Sequence, residues 1–199
     1  MAQAQVRLEF AAGTYDEAKA PLGQLFNEYF GGGMAGLVFQ ELREARALAY
    51  SAWAHFFTPS RPEDENILVG AIGCQADKTL EAVEAFIELL DEMPINETRW
   101  NSAHSAILSA YRTNPIASRS IPGFVYDFSA LGVGKDPRSQ RYDNLKGSNI
   151  NSLKSFYEKE IQPKSILLSI VGDSEKINLE ELKKFGPLTK VEPKQLFNR

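Results

Sequence analysis

The stretch Gly31 to Ala54, GGGMAGLVFQELREARALAYSAWA, constrains the fold more than any other. Three consecutive glycines and Gly36 cannot sit inside a stable helix, because glycine loses the most backbone freedom on ordering and readily takes positive φ. From Leu37 the apolar residues Leu37, Val38, Phe39 and Leu42 share one side of a helix, while Glu41, Arg43, Glu44 and Arg46 occupy the other. Near Leu48 the pattern changes: Tyr50, Ser51, Ala52, Trp53, Ala54 and His55 take up a period of two, as a half-buried strand does. The chain must therefore stop one helix, run a second and turn it directly into a strand. Arg43 and Tyr50 stand on either side of that turn.

The remaining elements fit around it. Gln5 to Phe10 alternates with Val6, Leu8 and Phe10 on one face, a strand with one wet side. Pro21 suits the first turn of a helix carrying Leu22, Leu25, Phe26, Tyr29 and Phe30, which the glycines end. Pro59 to Pro62 reads as a turn, and Asn66 to Cys74 as an interior strand, apolar on both faces. Asp77 is the expected N-cap of a long helix with Leu80, Val83, Phe86, Ile87 and Leu90 inward, ending at Pro94. Asn96 caps the next helix, striped by Trp100, Ala103, Ile107, Leu108 and Tyr111. Residues 114–134 mix breakers and aromatics and predict short helices bridging two halves of the fold, while DPRSQRYDNLKGSN predicts an exposed connection. Asn149 or Asn151 caps a helix with Leu153, Phe156, Tyr157 and Ile161, followed by Pro163. Ser165 to Val171 is the last strand, turning at Gly172-Asp173, and Leu179 to Phe185 a short helix. Strands that follow one another with no helix between argue α+β: helices layered on one face of a largely antiparallel sheet. With no repeat, low-complexity tract or composition shift, residues 1–199 read as one domain.

Composition narrows the function. A net charge of −4 and a pI near 5.4, without a lysine and arginine stripe, argue against nucleic acid as a partner. The apolar SILLSIV segment is strand length, too short to span a bilayer as a helix. The opening MAQAQVRLEF has no basic segment followed by an apolar one, so no signal peptide is expected there, and the compartment stays open. Cys74 is the single cysteine, which excludes an internal disulfide, and its apolar neighbours predict a buried thiol.

Catalytic motifs are scarce. Gly31 to Gly36 formally satisfies GxGxxG, but a helix precedes it where a dinucleotide site needs a strand, and no Gly-Lys-Ser/Thr follows for a P-loop. The histidines, His55 and His104, lack the spacing of a metal site: His55 is expected at a strand end and His104 to pack half-buried beside Trp100. There is no GxSxG elbow, and Glu63-Asp64-Glu65 and Asp91-Glu92 read as solvated turns from which no glycosidase pair stands out. From the sequence alone, Arg43 reads as a surface ion pair with Glu41 or Glu44 and Tyr50 as a tyrosine packed in the sheet.

LREARALAY resembles the Leu-Arg-Glu-Lys-x-Gly-Leu-Ala-Tyr signature of the pitrilysin (insulinase) family of zinc peptidases. In that family it lies in the non-catalytic, C-terminal type of domain and follows a Gly-Gly-Gly segment. The similarity runs from the opening strand through the late IVGD turn to LEELKKFG. It implies a metallohydrolase-like fold and a chain that is a piece of a longer multi-domain peptidase. Zinc would be held by the His-x-x-Glu-His motif of a homologous partner domain, in the same chain or another subunit, with no cofactor in this chain. By the same resemblance, Arg43 and Tyr50 hydrogen-bond the substrate carbonyl and stabilise the oxyanion. Gly31, Gly32, Gly33 and Ala52 line the peptide chamber. The sequence departs from the signature at Ala45, where lysine is usual, and at Ala47, where glycine is usual, and Gly36 and Val38 replace a common Ser-Arg pair. Ala47 is thereby expected to tighten the helix-to-strand turn. Two other readings follow from the sequence: a non-catalytic scaffold subunit binding peptides at a sheet edge, and an independent small-molecule enzyme.

Overall fold

In the computed structural model, residues 2–162 and 165–196 are described. Four strands form one antiparallel sheet: β1 (Gln3–Thr14), β2 (Ala49–Phe57), β3 (Glu65–Gln75) and β4 (Leu167–Val171), in the order β2-β3-β1-β4. The alternation seen at Gln5–Phe10 is part of this longer β1, whose Ala4, Val6, Leu8, Phe10 and Ala12 all point into the core. β3 lies between β2 and β1, the interior place its two-sided apolar character predicts, and bends at residues 60–64 connect it to β2.

Helices cover one face. α1 (Ala20–Phe26) begins with Pro21 in its first turn and widens into a π turn over Asn27–Gly31. α2 (Leu37–Phe39) likewise continues as a π turn, Gln40–Ala45. α3 (Thr79–Glu92) and α4 (Glu97–Thr113) follow; α7 (Ile150–Phe156, with a π turn to Ile161) comes before β4, and the short α8 (Leu179–Leu182) and α9 (Pro193–Leu196) after it. The apolar stripes of α1 to α4 and α7 join the inward face of the sheet in one hydrophobic cluster. Asn96 caps α4, accepting from Arg99 N at 2.9 Å, and Asn149 caps α7 through a reciprocal capping box with Ser152.

Three expectations need correction or qualification. Asp77 does not cap α3: a 3₁₀ turn over Ala76–Lys78 intervenes, and the Thr79 hydroxyl donates to Ala76 O at 2.9 Å. The expected exposed connection contains a helix, α6 (Arg138–Lys146), held at two positions one turn apart. Leu145 is fully buried, and Arg141, itself buried, grips Glu17 through Nε at 2.7 Å and Nη2 at 2.5 Å. Two anchors are too few to print an apolar stripe. Burial alone would raise the Glu17 carboxyl, but hydrogen bonds from Arg141 and Tyr15 outweigh it and hold the pKa below the usual value. Residues 114–134 do contain short helices, a 3₁₀ turn at Ser118–Ser120 and α5 (Ile121–Ala130), but no residue of α5 is buried. Pro163 lies outside the described residues.

The helix layer is pressed onto the sheet at Gly70 of β3. A Cβ there would come within 2.2 Å of the fully buried Phe86 ring of α3. A methyl group cannot enter unless the ring or the helix moves. Gly70→Ala should therefore destabilise the protein by about 1–3 kcal/mol through overpacking, measured by denaturant unfolding; an unchanged midpoint would show that α3 is free to shift.

Candidate functional site

The glycine segment is fixed by contact with β2 rather than left loose. Gly31 sits so close to the backbone of Ala54 that a Cβ would fall 1.8 Å from its carbonyl oxygen. At Gly36 a Cβ would come within 2.6 Å of Gly32 N. Gly33 takes φ +54 in open space, and Gly36 N donates to Gly32 O at 2.9 Å to close a turn. Two side chains tie this turn down: Arg99 Nη1 donates to Ala35 O at 2.7 Å, and Gln40 Nε2 to Met34 O at 2.5 Å. The segment thus runs from α1 across the edge of β2 into α2.

Arg43 lies on the polar side of the turn that ends α2. Its guanidinium stacks 4.8 Å from the centroid of the Phe39 ring, and its nearest carboxylate, Glu44, is 3.7 Å from Nε. Of the two surface partners its sequence position allows, this loose contact is with Glu44. The side chain is 46% exposed, so its five donors are largely uncommitted.

The chain then turns through Ala47, at φ +51. Leu48 N reaches back to Leu42 O at 2.9 Å, and Arg46 Nη1 bonds Glu88 Oε2 of α3 at 2.7 Å. The alanine thus adopts the left-handed conformation that glycine takes without cost. Immediately afterwards the β2–β3 register slips: Ala49 pairs with Cys74 and Ser51 with Gly73, leaving Tyr50 as the extra residue of a β-bulge. Along β2, Ala52, Ala54 and Phe56 face the core. In a regular strand Tyr50 would share their side; the bulge sends it outward, 43% exposed, next to Ser51. Trp53, His55 and Phe57 follow on the face away from the helices.

Of the residues singled out in the sequence, Arg43 and Tyr50 flank one turn, and Gly31 to Gly33 border the same strand. Ala52 differs: it is buried among the core residues. Sequence reasoning passed over Asn27, whose carboxamide pairs with both backbone groups of Phe56, Oδ1 accepting from N at 2.6 Å and Nδ2 donating to O at 3.0 Å. Its one signal was a polar residue inside the apolar run LFNEYF. Arg99 had none. A large concavity of about 1400 Å³ opens at the far end of β2, lined by Phe57, Tyr111, Tyr142 and Arg138 among others, and neither Arg43 nor Tyr50 lines it.

Elsewhere the chemistry is modest. His104 stacks on Trp100 with ring centroids 5.0 Å apart and places Nε2 2.7 Å from Leu145 O, the packing role expected of it. Burial pushes the His55 pKa down, and Nε2 sits 3.4 Å from Asn27 Nδ2. Cys74 is buried and its thiol pKa is raised by that burial. Among the described residues no group of three or more His, Cys, Asp or Glu is placed to hold a metal, and no helix is long and apolar enough to cross a membrane.

This arrangement places an exposed arginine and an exposed tyrosine on either side of one glycine-flanked turn at the edge of an antiparallel sheet. The family model described as the peptidase M16 inactive domain matches residues 1–103, and the chain belongs to that family. The fold agrees with solved structures at low sequence identity. A peptidase M16 inactive domain from Pseudomonas fluorescens superposes with a TM-score of 0.72 at 14% identity, over 85% of this chain and 41% of that one. A protease from Helicobacter pylori gives 0.68 at 14% identity, over 84% and 40%. The inactive peptidase domain of a candidate zinc protease from Bordetella parapertussis gives 0.69 at 12%, over 86% and 93%. The chain therefore spans about two-fifths of the first two. No curated protein sequence matches it.

Ala47 provides a direct check on the turn. An L-residue in the left-handed region costs about 1–2 kcal/mol, while glycine returns about 0.4–1 kcal/mol of that through unfolded-state entropy. Ala47→Gly should stabilise the fold by up to about 1 kcal/mol in denaturant unfolding. A clear loss of stability would mean that the turn does not need positive φ.

Proposed function

We propose that residues 1–199 form one domain of a longer polypeptide, the substrate-side, metal-free half of a pitrilysin-type zinc metallopeptidase. A homologous His-x-x-Glu-His domain, in the same chain or a partner subunit, supplies the zinc and closes over a peptide substrate. Arg43 and Tyr50 donate hydrogen bonds to the scissile carbonyl and to the oxyanion that forms from it, and the Gly31–Gly33 segment borders the peptide.

The observation that carries this reading is the bulge at Tyr50. It turns outward a phenol that the strand's alternation would bury, on the strand that Arg43 leads into. Bulges concentrate where a side chain must be re-aimed. An exposed guanidinium with one loose ion contact and an exposed phenol are donors not yet spent on the fold. Charge developing on a tetrahedral intermediate is what such donors stabilise, and they act most strongly once a second domain excludes water. The two donors stand on an open surface outside the large concavity, as suits a half-site that closure completes.

In the full-length gene product, Arg43→Ala and Tyr50→Phe should each lower kcat by about 10²–10³ while leaving zinc content unchanged. Unaltered turnover in both variants would remove the assigned role. The second reading is a peptide-binding or scaffold subunit of the same fold without catalysis. It predicts a native assembly with no zinc-bearing domain.

A further inference from the structure

α5 is anchored through Phe128 and otherwise wet. The Phe128 ring lies 5.4 Å from the guanidinium of Arg141, the side chain that Glu17 holds in place. Ile121, Phe124 and Val125 share one stripe of the helix with Phe128, yet they are 50%, 40% and 59% exposed. They border a pocket of about 560 Å³ between α5 and the chain on either side of it, walled by Ile116, Ile121, Phe124, Val125, Phe128 and Val133. The sequence builds both ends of this pocket. Pro115 and Ile116 enter it from α4. At the other end Gly132 takes φ +76 and Val133 N donates to Phe128 O at 2.8 Å, a closure that folds Val133 back over the last turn of the helix. One continuous segment, residues 115–138, thus forms a pocket whose volume falls in the range of roughly 300–1,000 Å³ usual for small-molecule sites.

Charge is confined to the segment that follows Gly134. There Arg138 and Asp136 satisfy each other, Nε donating to Oδ1 at 2.9 Å. Lys135 makes no ion pair among the described residues. Asp127, the other carboxylate of this segment, lines the larger concavity and not this pocket. An apolar wall with one unspent cation beside it suits a ligand that has an apolar body and one negative charge. A dianion would find no second free cation, and a cationic head would meet Lys135 as a like charge. We propose that this pocket binds a small amphiphilic monoanion, its aromatic or branched body against Phe124 and Phe128 and its anionic head on Lys135. Neither Arg43 nor Tyr50 lines the pocket, so the inference stands apart from the peptidase reading.

Fluorescence titration of the full-length gene product with 1-anilinonaphthalene-8-sulfonate tests this, with N-phenyl-1-naphthylamine as the same body lacking the sulfonate. The proposal expects a saturable site for the sulfonate. Lys135→Ala should weaken sulfonate binding by about two- to fivefold, the range of an exposed ion pair, and leave the neutral probe unchanged. Val125→Asp, at an exposed position, should weaken both probes by about tenfold or more without moving the unfolding midpoint. An equal effect of Lys135→Ala on both probes, or none on either, would overturn the assignment of the head. Binding untouched by Val125→Asp would put the probe on another apolar surface and overturn the site. So would affinity that falls as protein concentration rises, which would mean that a second copy covers α5. The readout involves neither zinc nor turnover, so its failure leaves the peptidase reading intact.

Discussion

The approach of Gly31 to the carbonyl of Ala54 sets the geometry of the whole candidate site. With a Cβ 1.8 Å from that oxygen ruled out, glycine alone lets the end of α1 lie against β2. This contact closes the strand's outer side and starts the glycine turn that Arg99 and Gln40 then secure. The turn fixes where α2 begins, and so where Arg43 sits. Four residues past Arg43, Ala47 reverses the chain and Tyr50 bulges outward. Helix end, turn and bulge form one mechanical sequence in which each step sets the direction of the next.

Much of this was legible in the residues. Alternation named β1, the glycines marked the break after α1, and Asn96 announced α4. These signals were readable because each reflects a local rule repeated over several residues. The misses have the opposite character. α6 rests on Leu145 and on the ion pair between Arg141 and Glu17, distant in sequence, and no local pattern encodes that pairing. Asp77 looked like a cap, but the chain spends those residues on a 3₁₀ turn. The bulge at Tyr50 is set by the register against β3, which one strand's sequence does not state. Period-two reasoning would place Tyr50 with Ala52, on the wrong face.

The energetic character of the molecule divides along the same line. Its helix-covered face is closed, with Phe10, Phe26, Phe30, Phe86 and Tyr29 fully buried. The opposite face and margins are not: Trp53, Phe57, Ile67, Leu167 and Val171 are exposed, and the apolar α5 buries none of its residues. Phe57 and Ile67 pair across β2 and β3, while Gln5, Arg7 and Glu9 of β1 separate them from Leu167 and Val171 of β4. Under the proposed function, these exposed residues and the unspent donors of Arg43 and Tyr50 belong to one half of a larger enclosure.

The most direct test of that account is the intact mass and zinc content of the native gene product, isolated from its source. The account predicts a polypeptide or tight complex of about twice this domain's size or more, consistent with the 41% coverage of a structural neighbour, carrying stoichiometric zinc. A 22 kDa product without zinc and without a zinc-bearing partner would contradict it.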